Sequence, residues 1–163
     1  MDLSQIVFRS QVKKEDIDRV REIVISTGFF YDFEVPVAVE LVEDAFDEGE
    51  EKSGYHFIFA EVEGRTVSYS CYGPIAGTDG GFDLYWIVTH NDYRGFGFGK
   101  LLLDETHRAA REKGARYIIA ETSSLEKYKP TRAFYEKNEY DKEAIIKDFY
   151  MVNDDKVIYV KRL

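Results

Sequence analysis

The segment from Tyr93 to Lys100 constrains this chain more than any other part of its sequence. It reads Tyr-Arg-Gly-Phe-Gly-Phe-Gly-Lys and lies between a run typical of a strand and a run typical of a helix. Glycines at alternate positions, Gly95, Gly97 and Gly99, let the backbone curve so that several N–H groups point into one concavity. The helix that follows adds the positive end of its dipole. The segment is therefore predicted to bind an anion such as a pyrophosphate.

The spacing of these glycines distinguishes among the common types of phosphate-binding loop. A dinucleotide-binding loop has the pattern G-x-G-x-x-G, usually near the start of a parallel unit, whereas G-x-G-x-G occurs here past the midpoint of the chain. A P-loop has G-x-x-x-x-G-K followed by Ser or Thr, but here Arg94 replaces the first Gly and Leu101 replaces the hydroxyl residue. The pattern that remains is R-x-x-G-x-G, which resembles the acyl-CoA loop of the GCN5-related N-acetyltransferase family and therefore favours coenzyme A. A tight turn that binds nothing is the alternative.

The length of the chain favours one domain, expected to span residues 1–163, and 163 residues are enough to bury a hydrophobic core. No apolar run approaches the roughly 18 residues that a bilayer span needs, and charged residues such as Arg9 and Lys13 interrupt the only region where a signal peptide could begin. We therefore expect a cytoplasmic protein that does not bind membranes. The single cysteine, Cys71, permits no internal disulfide and is expected to be a buried core residue rather than a nucleophile.

The charge of the chain argues against nucleic-acid binding, because a formal net charge of −9 leaves no general attraction for phosphate backbones. Residues 22–51 carry ten Asp or Glu and no Lys or Arg, whereas residues 93–116 carry six basic and three acidic residues. This division suits an anionic cofactor and a cationic acceptor. Ordinary solvated helix faces are the alternative explanation for most of these charges.

The order of predicted elements indicates an α/β fold with a mixed, mostly antiparallel seven-stranded sheet. The strands are predicted at residues 6–9, 55–62, 66–72, 82–89, 116–121, 144–148 and 156–161. About four helices are predicted, at residues 15–27, 36–47 and 100–113 and in a segment whose first turn contains Pro130.

Two motifs within these elements resemble the GCN5-related N-acetyltransferase (GNAT) family. The family commonly has apolar-x-V-x-P-x-Y-R-G-x-G-x-G before its helix, and residues 87–99 read Ile-Val-Thr-His-Asn-Asp-Tyr-Arg-Gly-Phe-Gly-Phe-Gly, with Asn91 where proline is usual. The second family motif, A-x-x-x-Y-x-x-x-G-[FY], matches residues 131–140 in part, because Thr131 and Glu139 replace the Ala and the Gly. Tyr128 takes the place of an Asn that is frequent in the family. The order of elements matches the family's acyl-CoA N-acyltransferase fold along nearly the whole chain.

This resemblance implies that acetyl-CoA is a co-substrate. The strand at 82–89 is then expected to separate from the strand at 116–121, so that the backbone of Ile87, Val88 and Thr89 receives the pantetheine amides. The following loop is expected to hold the pyrophosphate. Its residues are Arg94, Gly95, Phe96, Gly97, Phe98, Gly99 and Lys100.

The resemblance also implies residues for catalysis and for the acceptor. Tyr135 has the position of the family's general acid, although a core aromatic would fit the same helix. Asp83 lies six residues before Thr89, where one branch of the family has its general base. Asp83 could act through a water molecule or simply cap its strand. The acceptor is expected between the N-terminal helices and the last strand pair. The residues expected to bind it are Phe30, Tyr31, Asp32 and Tyr150, although a dimer interface or a plain core would suit them equally.

The function predicted from these features is transfer of an acetyl group to a primary amine of a small molecule or a protein. A member of the family that binds acyl-CoA without turnover is the alternative, and loop spacing disfavours a nucleotide-binding oxidoreductase. No metal site is predicted, because His56, His90 and His107 lack ligand spacing. The chain is expected to be a monomer or a homodimer.

Overall fold

The fold is known from a computed structural model that describes residues 5–163. One sheet contains the strands β1 (Val7–Arg9), β2 (His56–Val62), β3 (Arg65–Pro74), β4 (Gly81–Thr89), β5 (Tyr117–Ser123), β6 (Asp141–Met151) and β7 (Asp154–Arg162). The α-helices are α1 (Glu15–Ser26), α2 (Glu34–Glu48), α3 (Glu50–Ser53), α4 (Phe98–Glu112) and α5 (Lys129–Lys137). None of these helices has both the length and the apolar character of a membrane span.

The sheet has the strand order β1-β2-β3-β4-β5-β7-β6. Neighbouring strands pair antiparallel except for β4 and β5, which are parallel. A parallel pair needs a crossover, and here the glycine-rich loop and α4 supply it. The predicted α/β class and the mixed, mostly antiparallel sheet are confirmed. The topology places the glycine-rich loop at the carboxyl end of β4, where α/β sheets usually bind ligands.

Helices cover both faces of the sheet and form a core on each. On one face, α1 and α2 pack on the central strands through buried residues that include Val20, Ile23, Val42, Phe57, Phe59, Tyr69 and Cys71. On the other face, α4 and the segment 135–140 pack through buried residues that include Leu102, Leu103, Ile118, Tyr135, Tyr140 and Tyr159. Cys71 is fully buried, as predicted.

The element boundaries differ from the predicted ones where local hydrogen bonds or glycines set them. Helix α2 begins at Glu34 rather than Pro36, because the Glu34 carboxylate accepts a hydrogen bond from the N–H of Tyr31 (2.7 Å). Helix α4 begins at Phe98 rather than Lys100, directly after Gly97 in the left-handed conformation. Strand β6 is longer than predicted, and its pairing with β7 shifts register between Ile146 and Met151, a stretch that includes Asp148 with a positive φ of 51°. The one-turn helix α3 was not predicted.

A buried hydrogen bond joins α4 to the segment between α5 and β6. The Nε2 atom of His107 lies 2.8 Å from the hydroxyl of Tyr140, and both residues are buried. Burial lowers the pKa of His107 to about 4, and the positive charge of Lys161 acts in the same direction. His107 is therefore a neutral core residue at physiological pH.

We expect the substitution His107→Gln to flatten the dependence of stability on pH. In the unfolded chain a histidine titrates near 6.5, whereas in the native protein the pKa of His107 is about 4. Between these values the unfolded state binds more protons, so stability that is complete above about pH 6.5 is lost as the pH falls. The free energy of unfolding lost in this way is at most roughly 3 kcal/mol. Urea denaturation of both proteins at several pH values between about 7 and 4 measures it.

The control is Tyr140→Phe, which removes the hydrogen bond but keeps the buried imidazole. It should lower the free energy of unfolding at all pH values and retain most of the dependence of that free energy on pH. If the stability of His107→Gln depends on pH as strongly as that of the wild type, burial of a neutral His107 is not the source of the pH dependence.

Candidate active site

Strands β4 and β5 are paired over only half of their length. Residues Gly81–Leu84 pair with Tyr117–Ala120, and beyond these residues the two strands separate. On its other side β4 stays paired with β3 as far as Thr89. The predicted separation of the two strands is therefore confirmed, and it opens a gap in the middle of the sheet.

An extra residue in β4 lies where the gap begins. Leu84 is opposite Tyr72 on β3 and Trp86 is opposite Cys71, so Tyr85 between them has no partner of its own. A β-bulge of this kind bends its strand and increases the local twist. We attribute the divergence of β4 from β5 to this bend.

The edge of β4 that borders the gap has free backbone groups. The N–H of His90 donates to the carbonyl of Val67 on β3 (2.9 Å). Since backbone groups alternate in direction along a strand, those of Val88 also point to β3 and those of Ile87 and Thr89 point into the gap. An extended ligand could therefore pair with β4 as an added strand.

The glycine-rich loop presents a row of unpaired N–H groups at the end of this edge. Gly95 and Gly97 have φ values of 82° and 89°, which place both in the left-handed region. None of the N–H groups of residues 95–100 has an acceptor among residues 5–163. The next N–H, of Leu101, donates to Gly97 and begins the intrahelical pattern of α4 (3.3 Å). The loop therefore combines free donors with a helix N-terminus, as an anion site requires.

A cavity of about 910 Å³ joins the loop, the gap and the region proposed for the acceptor. The predicted cofactor residues that line it are Ile87, Val88, Thr89, Arg94, Gly95, Gly97, Phe98, Gly99 and Lys100. Phe96 does not line the cavity and is 45% exposed, because its side chain points away from the curved backbone to solvent. The binding roles of all these residues stay predictions.

Tyr135 lines the middle of the cavity from α5. Its side chain is 6% exposed and its ring packs against Tyr140 and Tyr159, with centroids 5.2 and 5.7 Å away. Its hydroxyl has no hydrogen-bond partner in the described part of the chain. Burial raises the pKa of Tyr135, so the phenol keeps its proton at neutral pH. Tyr135 is therefore a core aromatic with a proton available to a ligand.

Asp83 lies near the cavity but outside its lining. It is on the paired half of β4, opposite Ile119 of β5. Burial raises the pKa of Asp83, the negative charge of Glu121 raises it further, and the positive charge of Lys156 opposes both. An acceptor could reach Asp83 only through an intervening group or water molecule.

The acceptor end of the cavity has aromatic walls. Phe30 packs against Trp86 with centroids 5.0 Å apart, and Tyr31 and Tyr150 also line this end. Asp32 does not line it, because the turn before α2 directs Asp32 to solvent and Glu34 to the cavity. The acidic residues from Glu40 to Glu48 lie on the remainder of α2, away from the cavity.

Sequence reasoning missed two charged residues at this end. Lys127 bridges the α1–α2 loop and the segment before α5, since its Nζ atom donates to the carbonyl of Phe29 (3.0 Å) and lies 4.0 Å from the ring centroid of Tyr31. Residues 98 positions apart meet in this contact, so no local pattern could predict it. Glu121 also lines the cavity. Its place at the end of the predicted strand 116–121 was a usable signal, because that strand was predicted to border the gap.

The three histidines lie apart from one another. His56 is buried with its Nδ1 atom 3.6 Å from Glu50, and His90 accepts a hydrogen bond from the N–H of Asp92 (3.3 Å). Within residues 5–163, His, Cys, Asp and Glu side chains form no group of three or more that could hold a metal ion.

Known proteins share this fold and its motifs. A family model described as an acetyltransferase (GNAT) domain matches residues 53–142, which include the gap, the loop and α5. A crystal structure from Desulfovibrio desulfuricans, of a protein assigned to the GNAT family of acetyltransferases, has a TM-score of 0.93 and 43% identity, covering 96% of this chain and 98% of that chain. No curated protein matches the sequence significantly.

More distant structures show the same fold. The ribosomal-protein-alanine N-acetyltransferase from Brucella melitensis has a TM-score of 0.75 and 21% identity, covering 96% of this chain and 99% of its own. An aminoglycoside 6'-N-acetyltransferase complexed with coenzyme A has a TM-score of 0.74 and 15% identity, covering 96% of each chain.

We expect Gly97→Val to abolish stabilisation of the native protein by acetyl-CoA. A ligand at about 100 times its Kd raises the free energy of unfolding by about 2.7 kcal/mol. A β-branched residue at the φ of 89° strains the loop and turns its N–H groups away from the anion. Thermal denaturation with acetyl-CoA, NAD or ATP measures the effect, and in the wild type only acetyl-CoA should stabilise.

The matched control is Gly64→Val, in the turn between β2 and β3. Gly64 has a φ of 76° and no heavy atom within 4 Å of an added Cβ, so this variant carries similar strain outside the cavity. It should be less stable than the wild type and keep its full response to acetyl-CoA. An equal response in Gly97→Val would show that the loop does not bind the ligand.

Proposed function

This chain belongs to the GNAT family of acetyltransferases, and we propose that it transfers the acetyl group of acetyl-CoA to a primary amine of a small molecule or a protein. One observation carries the proposal: the free edge of β4 and the unpaired N–H groups of the loop border the same cavity. The free strand edge suits a chain of amides, and the N–H groups of the loop suit a pyrophosphate. The relative complexed with coenzyme A supports this choice of ligand.

The residues present fit acetyl-CoA. The backbone groups of Ile87 and Thr89 would pair with the pantetheine amides, and residues 95–100 would donate to the pyrophosphate. Arg94 and Lys100 add positive charge at the same end of the cavity, although Lys100 also pairs with Asp104. Acetyl-CoA supplies a thioester, whose carbonyl carbon is open to attack by an uncharged amine.

Two groups near the middle of the cavity would move protons. Tyr135 would donate its phenolic proton to the departing thiolate, because its buried hydroxyl is protonated and has no hydrogen-bond partner within residues 5–163. Asp83 would take a proton from the acceptor through a water molecule. Its raised pKa makes it a better proton acceptor than an exposed aspartate.

The acceptor end suits an amine on a flat or aliphatic body. Aromatic side chains form its walls, and Glu34, Glu121 and Asp154 bring carboxylates to it. The similar folds include an enzyme named for a ribosomal protein and one named for aminoglycosides, so the fold is compatible with both kinds of acceptor. Of the predicted substrate residues, Phe30, Tyr31 and Tyr150 keep this role in the proposal, and Asp32 is expected to act only through its long-range charge.

We expect cationic primary amines to release thiol from acetyl-CoA in the presence of the protein, and anionic amines to do so more slowly. The preference should weaken as salt rises, since exposed charges are screened over about 8 Å at physiological ionic strength. A thiol-release assay over an amine panel measures both effects, with acetyl-CoA alone as the control for hydrolysis. Stabilisation by acetyl-CoA without thiol release for any amine would favour a binding module that lacks turnover.

We expect Tyr135→Phe to lower kcat by about 10² to 10³, toward the low end of the range for general acid catalysis because a thiolate leaves tolerably unaided. The ring and most of its packing remain, so the affinity for acetyl-CoA should change by less than about tenfold. Steady-state kinetics with the best amine of the panel measure both quantities.

The matched control is Tyr140→Phe, the same change in the neighbouring ring, which does not line the cavity. It should destabilise the protein and leave kcat near that of the wild type. Near-normal kcat in Tyr135→Phe would show that Tyr135 only packs in the core and that the departing thiolate takes its proton from water.

A further inference from the structure

We infer that the carboxylate of Glu121 binds the ammonium group of the acceptor, and that the acceptor is a primary amine carried on an aromatic body. The inference rests on the proposed function, because it concerns the acceptor end of the same cavity. It goes beyond that function in naming one residue for the charged group and one chemical class for the rest of the molecule.

The position of Glu121 in the sheet supports this role. Ala120 is the last residue of β5 that pairs with β4, and Glu121 is the next residue along the strand. Because side chains alternate along a strand and Asp83 is paired with Ile119, Glu121 lies on the same face of the sheet as Asp83. Glu121 therefore lies where the gap opens, beside the group proposed to take up the proton.

The other carboxylates near the acceptor end have structural partners or lie outside the cavity. Glu34 accepts a hydrogen bond from the N–H of Tyr31 at the start of α2 (2.7 Å). Asp154 is 4% exposed and accepts one from the hydroxyl of Ser123 (2.5 Å). Asp32 does not line the cavity. Glu121 also has a partner on one oxygen, Lys156, but it lies where the gap opens, and its Oε1 atom has no donor within residues 5–163.

Lys156 holds the Glu121 side chain in place. Its Nζ atom lies 2.6 Å from Oε2 of Glu121, and the Lys156 side chain is only 13% exposed. The same Nζ atom lies 3.7 Å from the ring centroid of Phe149, which fixes the lysine from its other side. The ion pair occupies one of the two Glu121 oxygens. The second oxygen remains for a cation from the cavity.

Aromatic side chains that line the same cavity as Glu121 define the rest of the acceptor. The rings of Phe30 and Trp86 come from different elements, the α1–α2 loop and β4, and pack against each other, and Tyr128 and Tyr150 are also in the lining. Flat rings of this kind pack well against another ring and also attract a cation over their faces. The arrangement thus matches a molecule in which an ammonium group is attached to an aromatic ring by a short chain.

The test compares two probes that differ in charge, 2-phenylethylamine and 2-phenylethanol. Each is titrated calorimetrically into the protein saturated with coenzyme A, so that no acetyl transfer is needed. The wild type should bind the amine more tightly than the alcohol, because a hydrogen bond between charged groups is stronger than its neutral counterpart. Glu121→Gln should weaken amine binding by about 10- to 100-fold and leave alcohol binding within about twofold.

A second ion pair provides the matched control. Glu139 lies 2.6 Å from Nζ of Lys161, whose side chain is 14% exposed, and neither residue lines the cavity. Glu139→Gln should leave the binding of both probes unchanged. Glu121→Asp keeps the negative charge and should retain a preference for the amine. The affinity of each variant for coenzyme A reports whether its fold and the rest of the cavity are intact.

Two results would overturn the inference. One is a wild type that binds the amine no more tightly than the alcohol, and the other is a Glu121→Gln variant that keeps the full preference. Neither result depends on turnover, so the inference can fail while acetyl transfer to another amine is observed. Conversely, the preference for the amine could be found in a protein that shows no transfer, which would contradict the proposed function alone.

Discussion

The loss of pairing between β4 and β5 beyond Leu84 and Ala120 is the constraint on which the rest of the site depends. Strands normally satisfy their backbone groups with a neighbour, and groups left unpaired away from water are costly. Here the groups of Ile87 and Thr89 border an open cavity, so water satisfies them until a ligand takes its place. The bulge at Tyr85 separates the strands without breaking the pairing of β4 with β3, which keeps the free edge rigid.

The cavity combines opposite electrostatic environments at its two ends. At the loop, free N–H groups, the N-terminus of α4 and Arg94 favour an anion. At the other end, carboxylates lie among aromatic rings, and Glu121 is held by Lys156. Between them, burial raises the pKa values of both Tyr135 and Asp83. The same physical effect therefore keeps a proton on the phenol and makes the carboxylate a better base.

Sequence patterns predicted the elements and the loop well, and the acceptor end less well. The glycine spacing located the loop, and all of its predicted cofactor residues except Phe96 line the cavity. Phe96 lies outside because a side chain within a curved loop can point to either side, and the motif constrains only its neighbours. At the acceptor end, Asp32 and Glu34 are close in sequence, yet only Glu34 lines the cavity. One hydrogen bond at the start of α2 decides this, and no periodicity encodes it.

The sequence by itself determined the features that depend on local backbone chemistry: the left-handed glycines before α4, the alternation of helices and strands, and the family motifs on β4 and α5. The tertiary structure alone decided which side chains meet across the cavity. Glu121 and Lys156 come from different strands, and Lys127 reaches Phe29 across 98 positions of the chain. Glycine conformation and helix periodicity act over a few neighbouring residues, whereas these contacts depend on the twist and separation of strands that pack together only in the folded sheet.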